Sequence, residues 1–308
     1  MVAEGEDPSS ILCLTFTRKA AEEMRDRAQA LFSRRCGFRT FHSLAYLFSY
    51  TYNPLLLDEV DYDQMLTSTV ARLREDPLLR QKWQYKWLMV DEANDLTLEQ
   101  VELLQLLSEE HGNVFLVGDA NQAIFGFAGA TPEPMVHFEK YFPGGRYLTL
   151  GVNYRSTKRI VDLCRRLAPI QTELLERLNT SNEVGEPPTF EQYGNNVAEI
   201  YGASGKMNPN ESNMLLARTN KQLKLAKDLG MPATTIHKAK GREWDNVWVI
   251  GCQDGLLPLA GADEEEEARL LFVAASRAAK RLHFSCYGTP SKFLTKFLED
   301  GTIERSTQ

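Results

Sequence analysis

Short apolar, β-rich runs alternate with amphipathic helical patterns along most of the chain, and a polar or acidic residue follows several of the runs directly. Such alternation is the signature of βα units built around a parallel sheet. ILCLTFT (residues 11–17) predicts a strand feeding a helix over 19–32, on which Ala20, Met24, Ala28 and Leu31 share one face. WLMV (87–90) predicts a buried strand ending in Asp91-Glu92, with a helix from near Thr97 through Leu103, Leu104 and Leu107. NVFLV (113–117) ends in Gly118-Asp119. Polar residues placed directly after such strands lie at the carboxyl edge of the sheet, where α/β proteins hold ligands.

A second series is expected to open at YLTL (147–150) and to continue through NMLLA (213–217), NVWVI (246–250) and RLHFS (281–285). Helices are predicted between them over 157–167, 220–229, 264–279 and 291–298. A chain of 308 residues can bury two cores, so the expectation is an α/β protein of two lobes, 1–143 and 144–308, joined near YFPGGR (141–146). Segments 43–86 and 164–212 are less regular and are expected to carry small insertions, the first of them helical.

Composition narrows the function. A net charge of −7 argues against a protein held to nucleic acid by its overall field, so a DNA groove here has to be locally basic or lined with aromatics. No apolar run approaches bilayer-spanning length, and the polar, acidic start MVAEGEDPSS lacks the basic and apolar regions of a secretory signal. The expected compartment is the cytoplasm, with no membrane partner. Cys13, Cys36, Cys164, Cys252 and Cys286 form no CxxC pair, so they read as reduced thiols, mostly buried, rather than disulfides or zinc ligands.

Asp91-Glu92 together with Gly118-Asp119 and Gln122 is the strongest chemical constellation. Hydrolysis of a nucleoside triphosphate needs a carboxylate for hydrated magnesium, a group that orients or deprotonates water, and a polar sensor of the terminal phosphate. Asp91, Glu92 and Gln122 match those three roles. The plainer alternative is that Asp91-Glu92 opens the next helix, where carboxylates oppose the helix dipole. EEEE at 264–267 reads in the same way, as a solvated helix start without catalysis.

The order of further motifs resembles the UvrD/Rep-type superfamily 1 helicases. LTFTRKAAEEMRDR is similar to motif Ia of that family, RTFHSL to Ib, WLMVDEANDLT to II and VGDANQAIFGFAGA to III. LGVNYRST is similar to motif IV, TIHKAKGREWDNVWV to V and EEEEARLLFVAASRAAKRL to VI. The resemblance implies two RecA-like lobes with parallel sheets and an ATP-dependent 3′–5′ single-stranded DNA translocase and helicase. ATP with Mg2+ would bind between the lobes, Asp91 serving the metal and Glu92 the attacking water. Gln122, Arg155 and Arg277 would contact the terminal phosphate, Tyr154 would stack on adenine, and Glu243, Gly241 and Asp119 would complete the nucleotide contacts. An isolated arginine such as Arg277 is more often a solvated helix residue; its place in VAASRA is what argues otherwise.

For the DNA track, the resemblance assigns Phe16, Phe125 and Phe127 to base stacking, which accepts every base and lets an acidic chain hold DNA. Thr17, Thr40, His42, Thr235, His237 and Lys240 would add contacts. Core packing is the commoner fate of phenylalanine and stands as the alternative for all three. Partners would be single-stranded DNA and single/double-strand junctions.

The chain departs from the family pattern in one large respect: no GxxxxGK[ST] occurs in its 308 residues. That loop supplies the backbone amides and lysine that cradle the β- and γ-phosphates, so ATP binding would be compromised without it. The expectation is a first lobe lacking its P-loop strand and helix, as a shortened reading frame or as half of a split motor completed by a second chain. A non-catalytic remnant that holds single-stranded DNA or a partner protein is the other alternative. Ala128 stands where relatives often carry arginine, and Ala275-Ser276 replaces Leu-Thr before Arg277. Between Thr157 and Thr234 there is too little chain for the large accessory domain of the longer relatives.

Overall fold

In the structure, a computed structural model, residues 5–31, 36–52, 61–171, 175 and 178–306 are described. They fall into two units, Met1–Tyr147 and Leu148–Gln308.

The first unit is built on a parallel sheet with strand order β2-β1-β3-β4. Its strands are β1 (Ile11–Thr15), β2 (Gly37–Thr40), β3 (Trp87–Val90) and β4 (Val114–Leu116). In register, Leu12 lies beside Leu88, Leu14 beside Val90 and Met89 beside Phe115. Every residue of β1 is buried, as expected of a parallel strand covered on both faces. Phe41, Leu44, Phe48, Leu73, Leu88, Leu103 and Leu104 form the core beneath it. Segment 43–86 is helical where described, through Phe41–Tyr52, Tyr62–Glu75 and Pro77–Lys82; residues 53–60 lie outside the described set.

The helix Leu98–Ser108 begins after Asp91-Glu92 rather than at it. It starts with a reciprocal cap: the Thr97 hydroxyl accepts from Gln100 N at 3.2 Å and the Gln100 side chain accepts from Thr97 N at 3.1 Å. The two carboxylates precede that cap by a 3-10 turn, Ala93–Asp95, at whose start Glu92 stands without a side-chain capping hydrogen bond.

The second unit carries a six-stranded parallel sheet of order β12-β7-β11-β10-β8-β9. Its strands are β7 (Thr189–Gln192), β8 (Asn213–Ala217), β9 (Ala233–Thr235), β10 (Trp244–Val249), β11 (Ala278–Cys286) and β12 (Glu304–Arg305). A separate parallel pair joins β5 (Val152–Asn153) to β6 (Asn179–Thr180). Trp248, Leu215, Ile200 and Leu223 lie in one apolar cluster of this unit.

Three expectations are corrected. YLTL at 147–150 is not a strand: no ladder partner faces it among the described residues, and Leu148 and Leu150 are exposed. Alternation sets a period, but a strand also needs a neighbour. The helix predicted over 264–279 ends at Ala275, although Ala278, Ala279 and Lys280 suit a helix. β11 takes those residues as its first stretch, Ala278 pairing with Trp244 of β10, and this pairing overrides local propensity. The acidic run at 264–267 is not wholly solvated. Glu267 is buried, pairs with Arg218 Nε at 2.8 Å and accepts from Leu259 N at 2.9 Å.

None of the five cysteines forms a disulfide; Cys13, Cys164, Cys252 and Cys286 are buried and Cys36 is half-buried. Burial pushes the Cys13 thiol up to about 12, so it stays protonated at neutral pH. Among the described residues no helix is long and apolar enough to cross a membrane.

Candidate functional site

In the first unit, β3 and β4 run side by side and deliver their following residues to one carboxyl edge. Val90 pairs with Leu116, Asp91 N donates to Leu14 O at 3.0 Å, and Ala93 N donates to Val117 O at 2.8 Å. Glu92 has φ 56° and is the only non-glycine residue with positive φ among those described. That left-handed conformation costs on the order of 1 kcal/mol for a residue with a Cβ. It turns the chain sharply after Asp91 and sets two successive carboxylates at the end of the strand.

Asn94 ties this turn to the next loop. It is fully buried; its Oδ1 accepts from Asp119 N at 3.2 Å, and its Nδ2 donates to Gln122 O at 3.3 Å and to Asp95 Oδ1 at 3.1 Å. Asp119 in turn accepts from Asn121 N at 3.0 Å and from Gln122 Nε2 at 3.1 Å. Gly118 permits the close approach: a Cβ there would lie 2.7 Å from Asn94 Oδ1. Asp91, Glu92, Asp119 and Gln122 are thus held by one local network. Asn94 was not singled out from the sequence, and its only signal there is a small amide between the carboxylates of DEAND.

Asp91 presents a single carboxylate, one oxygen of which accepts from Glu92 N at 3.0 Å. This suits magnesium, which keeps most of its water and takes one or two carboxylates. Among the described residues no group of three or more His, Cys, Asp and Glu gathers for a metal. The same edge fits phosphate less well. The stretches 91–98 and 117–130 hold four carboxylates and neither lysine nor arginine, so the positive complement that a triphosphate requires comes from other residues.

In the second unit, Tyr154 is 77% exposed and follows β5. Arg155 pairs through Nε with a Glu243 carboxylate oxygen, and its Nη1 donates to Ser276 O at 3.2 Å. Arg277 lies in the turn after the helix Glu264–Ala275 and is 2% exposed. Its Nε donates to Val273 O at 3.0 Å, Nη1 to Arg242 O at 3.3 Å and Nη2 to Ser276 Oγ at 2.9 Å. Ser276 therefore touches both arginines, a link the sequence does not show. Gly241 has φ 75° and open space around it.

The residues assigned to DNA divide by exposure. Phe127 is 77% exposed and meets Phe125 edge-on at 5.9 Å. Phe16 is only half-exposed and leans on Phe41 at 5.5 Å, so part of its ring belongs to the core. Thr40 is buried and exchanges hydrogen bonds with Ser43 at the start of the helix Phe41–Tyr52, and the Thr17 hydroxyl accepts from Ala20 N at 3.1 Å. Thr235 is buried at the end of β9, while His237 and Lys240 are half-buried.

Two α/β units with all-parallel main sheets, the first ending in adjacent carboxylates, define a protein of RecA-like lobes. Family models agree: the UvrD/REP helicase N-terminal domain matches residues 1–55 and 46–143, and the UvrD-like helicase C-terminal domain matches residues 207–289. The chain belongs to the UvrD/Rep-type superfamily 1 helicases. It is 28% identical over 274 residues to a probable DNA helicase of Mycoplasma pneumoniae, an overlap covering 76% of this chain and 51% of that protein. It is 27% identical over 197 residues to the ATP-dependent DNA helicase UvrD2 of Mycobacterium tuberculosis strain H37Rv, covering 60% and 28% respectively. The chain thus spans about half or less of the length of these curated relatives. Among solved structures, the DNA complex of Arterivirus nonstructural protein 10 (helicase) aligns over 93% of this chain and 56% of its own, with a TM-score of 0.50 and 12% identity. That likeness is one of fold.

Proposed function

We propose that this chain is the motor core of an ATP-driven single-stranded DNA translocase and helicase of 3′–5′ polarity. Asp91 serves hydrated magnesium, Glu92 orients the attacking water and Gln122 senses the terminal phosphate. Tyr154, Arg155, Glu243, Gly241, Asp119 and Arg277 act on the same nucleotide. When bound, Mg-ATP would supply the γ-phosphoryl group that passes to water, with ADP as the leaving group and Mg2+ neutralising charge; the chain's residues supply position, which accounts for most of the catalysis in this chemistry. Phe125 and Phe127 stack bases, with Phe16, Thr17, Thr40, His42, Thr235, His237 and Lys240 along the strand's path.

The observation that carries this reading is the network in which buried Asn94 joins the acidic turn after β3 to the Asp119–Gln122 loop. It joins the turn that carries Asp91 and Glu92 to the loop that carries Asp119 and Gln122, at the ends of two paired strands. The test is ATP hydrolysis by the 308-residue chain with and without a single-stranded oligonucleotide. Because these residues include no GxxxxGK[ST], slow turnover is expected from the chain alone. Turnover at the rate usual for enzymes of this class would refute that expectation.

A second reading, that another polypeptide segment supplies the phosphate loop, is favoured by β4. Among the described residues this strand pairs only with β3, and Phe115 beside its free edge is 51% exposed. Uncovered apolar edges of this kind take an added strand. Adding a strand-loop-helix peptide with a phosphate loop should restore turnover; complex formation without recovery would count against the split. A purely binding remnant would show the same oligonucleotide affinity with and without ATP.

A further inference from the structure

The helix Phe41–Tyr52, FHSLAYLFSYTY, contains no charged side chain. One face is core, with Phe41, Leu44, Ala45 and Phe48 buried. On another face Tyr46 is 44% exposed and Tyr50 59% exposed. They are four residues apart, one turn along the helix, and their rings lie 15° from parallel with centroids 6.4 Å apart. His42 stands one turn before Tyr46, so residues 42, 46 and 50 form a line of ring side chains leading away from the end of β2.

We propose that Tyr46 and Tyr50 form a stacking platform for single-stranded nucleic acid, extending the track that starts at Thr40 and His42. The inference rests on the DNA-binding reading given above and adds two residues outside the helicase motifs. Three observations support this occupant. The near-parallel rings offer flat π-faces of one orientation, and such faces accept any base. Their centroid spacing of 6.4 Å is commensurate with a stacked strand, about twice the ~3.4 Å rise per base. The helix is also neutral within a chain of net charge −7, so phosphates approach this face without meeting a carboxylate on it.

The experiment measures fluorescence anisotropy of a labelled 20-nucleotide oligothymidylate titrated with the full chain. Variants are Y46A/Y50A, Y46F/Y50F and F127A, each checked for an unchanged melting curve. A Y46W chain adds a local readout, because a base stacked on the indole quenches its emission. Expected are wild-type binding, a loss of about tenfold or more in Y46A/Y50A, retention within about twofold in Y46F/Y50F, where the rings persist, and quenching in Y46W. Weakening by F127A with no change in Y46A/Y50A and no quenching would overturn the platform and leave the DNA-binding reading standing. No binding by the wild-type chain would overturn both. Equal losses in the Ala and Phe pairs would replace stacking with a hydroxyl contact and so overturn it. A change of oligomeric state in Y46A/Y50A without a change in oligonucleotide affinity would make the face a protein contact, which also overturns it.

Discussion

Asn94 Oδ1 accepts a hydrogen bond from the backbone N–H of Asp119 at 3.2 Å, in the interior of the first unit. Through Nδ2 the same amide reaches Gln122 O at 3.3 Å, so one side chain links the acidic turn to the Asp119–Gln122 loop. Its replacement has a double effect. Asn94→Ala leaves Asp119 N and Gln122 O without these partners, and an unsatisfied buried polar group costs about 1–3 kcal/mol. We expect a loss of about 2–3 kcal/mol in urea unfolding. Gly118→Ala should destabilise by about 1–3 kcal/mol for a steric reason, its Cβ falling 2.7 Å from Asn94 Oδ1. Unchanged unfolding midpoints in both variants would show that the network is not holding the turn.

Glu92 combines a left-handed backbone with a candidate catalytic carboxylate. Glu92→Gly should therefore raise stability by up to about 1 kcal/mol, since glycine adopts φ 56° without strain. The same change removes the group proposed to orient water, so DNA-stimulated turnover of the chain supplied with a phosphate loop should fall. A stability loss in calorimetry would mean that the Glu92 side chain contributes more to folding than its backbone costs.

Buried Glu267 pairs with partly buried Arg218, their side chains 1% and 18% exposed. Removing one partner leaves the other charge uncompensated, at a cost of about 3–5 kcal/mol. Arg218→Met and Glu267→Gln should each lower the unfolding free energy by an amount in or near that range. The double substitution should recover part of the loss, and strict additivity in the double-mutant cycle would rule out direct coupling.

His283 lies against Trp248, ring centroids 4.6 Å apart, and its Nδ1 shares a 2.6 Å hydrogen bond with the Thr189 hydroxyl. Burial pushes its pKa down to about 4, Glu191 opposes this, and Arg281 and Lys206 add to it. A depressed folded pKa means that the unfolded chain takes the proton first. The stabilisation is complete above the ordinary histidine value near 6.5, erodes as pH falls below it, and levels off near 4. The total is on the order of 3 kcal/mol. Glu199 works the other way, because burial raises its carboxyl pKa and ionisation then destabilises the fold as pH rises. The check is the difference between wild type and His283→Phe in urea melts from pH 7 to pH 4. The gap between the two should change with pH by about that amount, and a pH-independent gap would refute the buried neutral imidazole.

Period and composition carried the strands β1, β3, β8 and β10 and the helices beginning near Arg18, Leu98, Lys158 and Lys292. They carried these because a parallel strand covered on both faces is a continuous apolar run, legible without knowing its neighbours. The short strands β2, β7, β9 and β12 escaped, as they are defined by pairing more than by pattern. The overrun past Ala275 has the same origin: it is the ladder with β10, beginning at Ala278, that takes these residues from helix to strand.

The residue types at the strand ends, and so the kind of chemistry they can support, were set by the linear order of the chain. Asp91 and Glu92 are visible there because they close the apolar run WLMV, and Asp119 and Gln122 because they follow the run NVFLV within five residues. Tertiary structure decided what those side chains are attached to. It made Asn94 the buried link, buried Arg277 against the Val273 and Arg242 carbonyls, and left Phe127, Tyr46 and Tyr50 facing solvent. Hydrogen bonds and burial between residues distant along the chain depend on strand register, and register is a property of paired strands rather than of either strand alone.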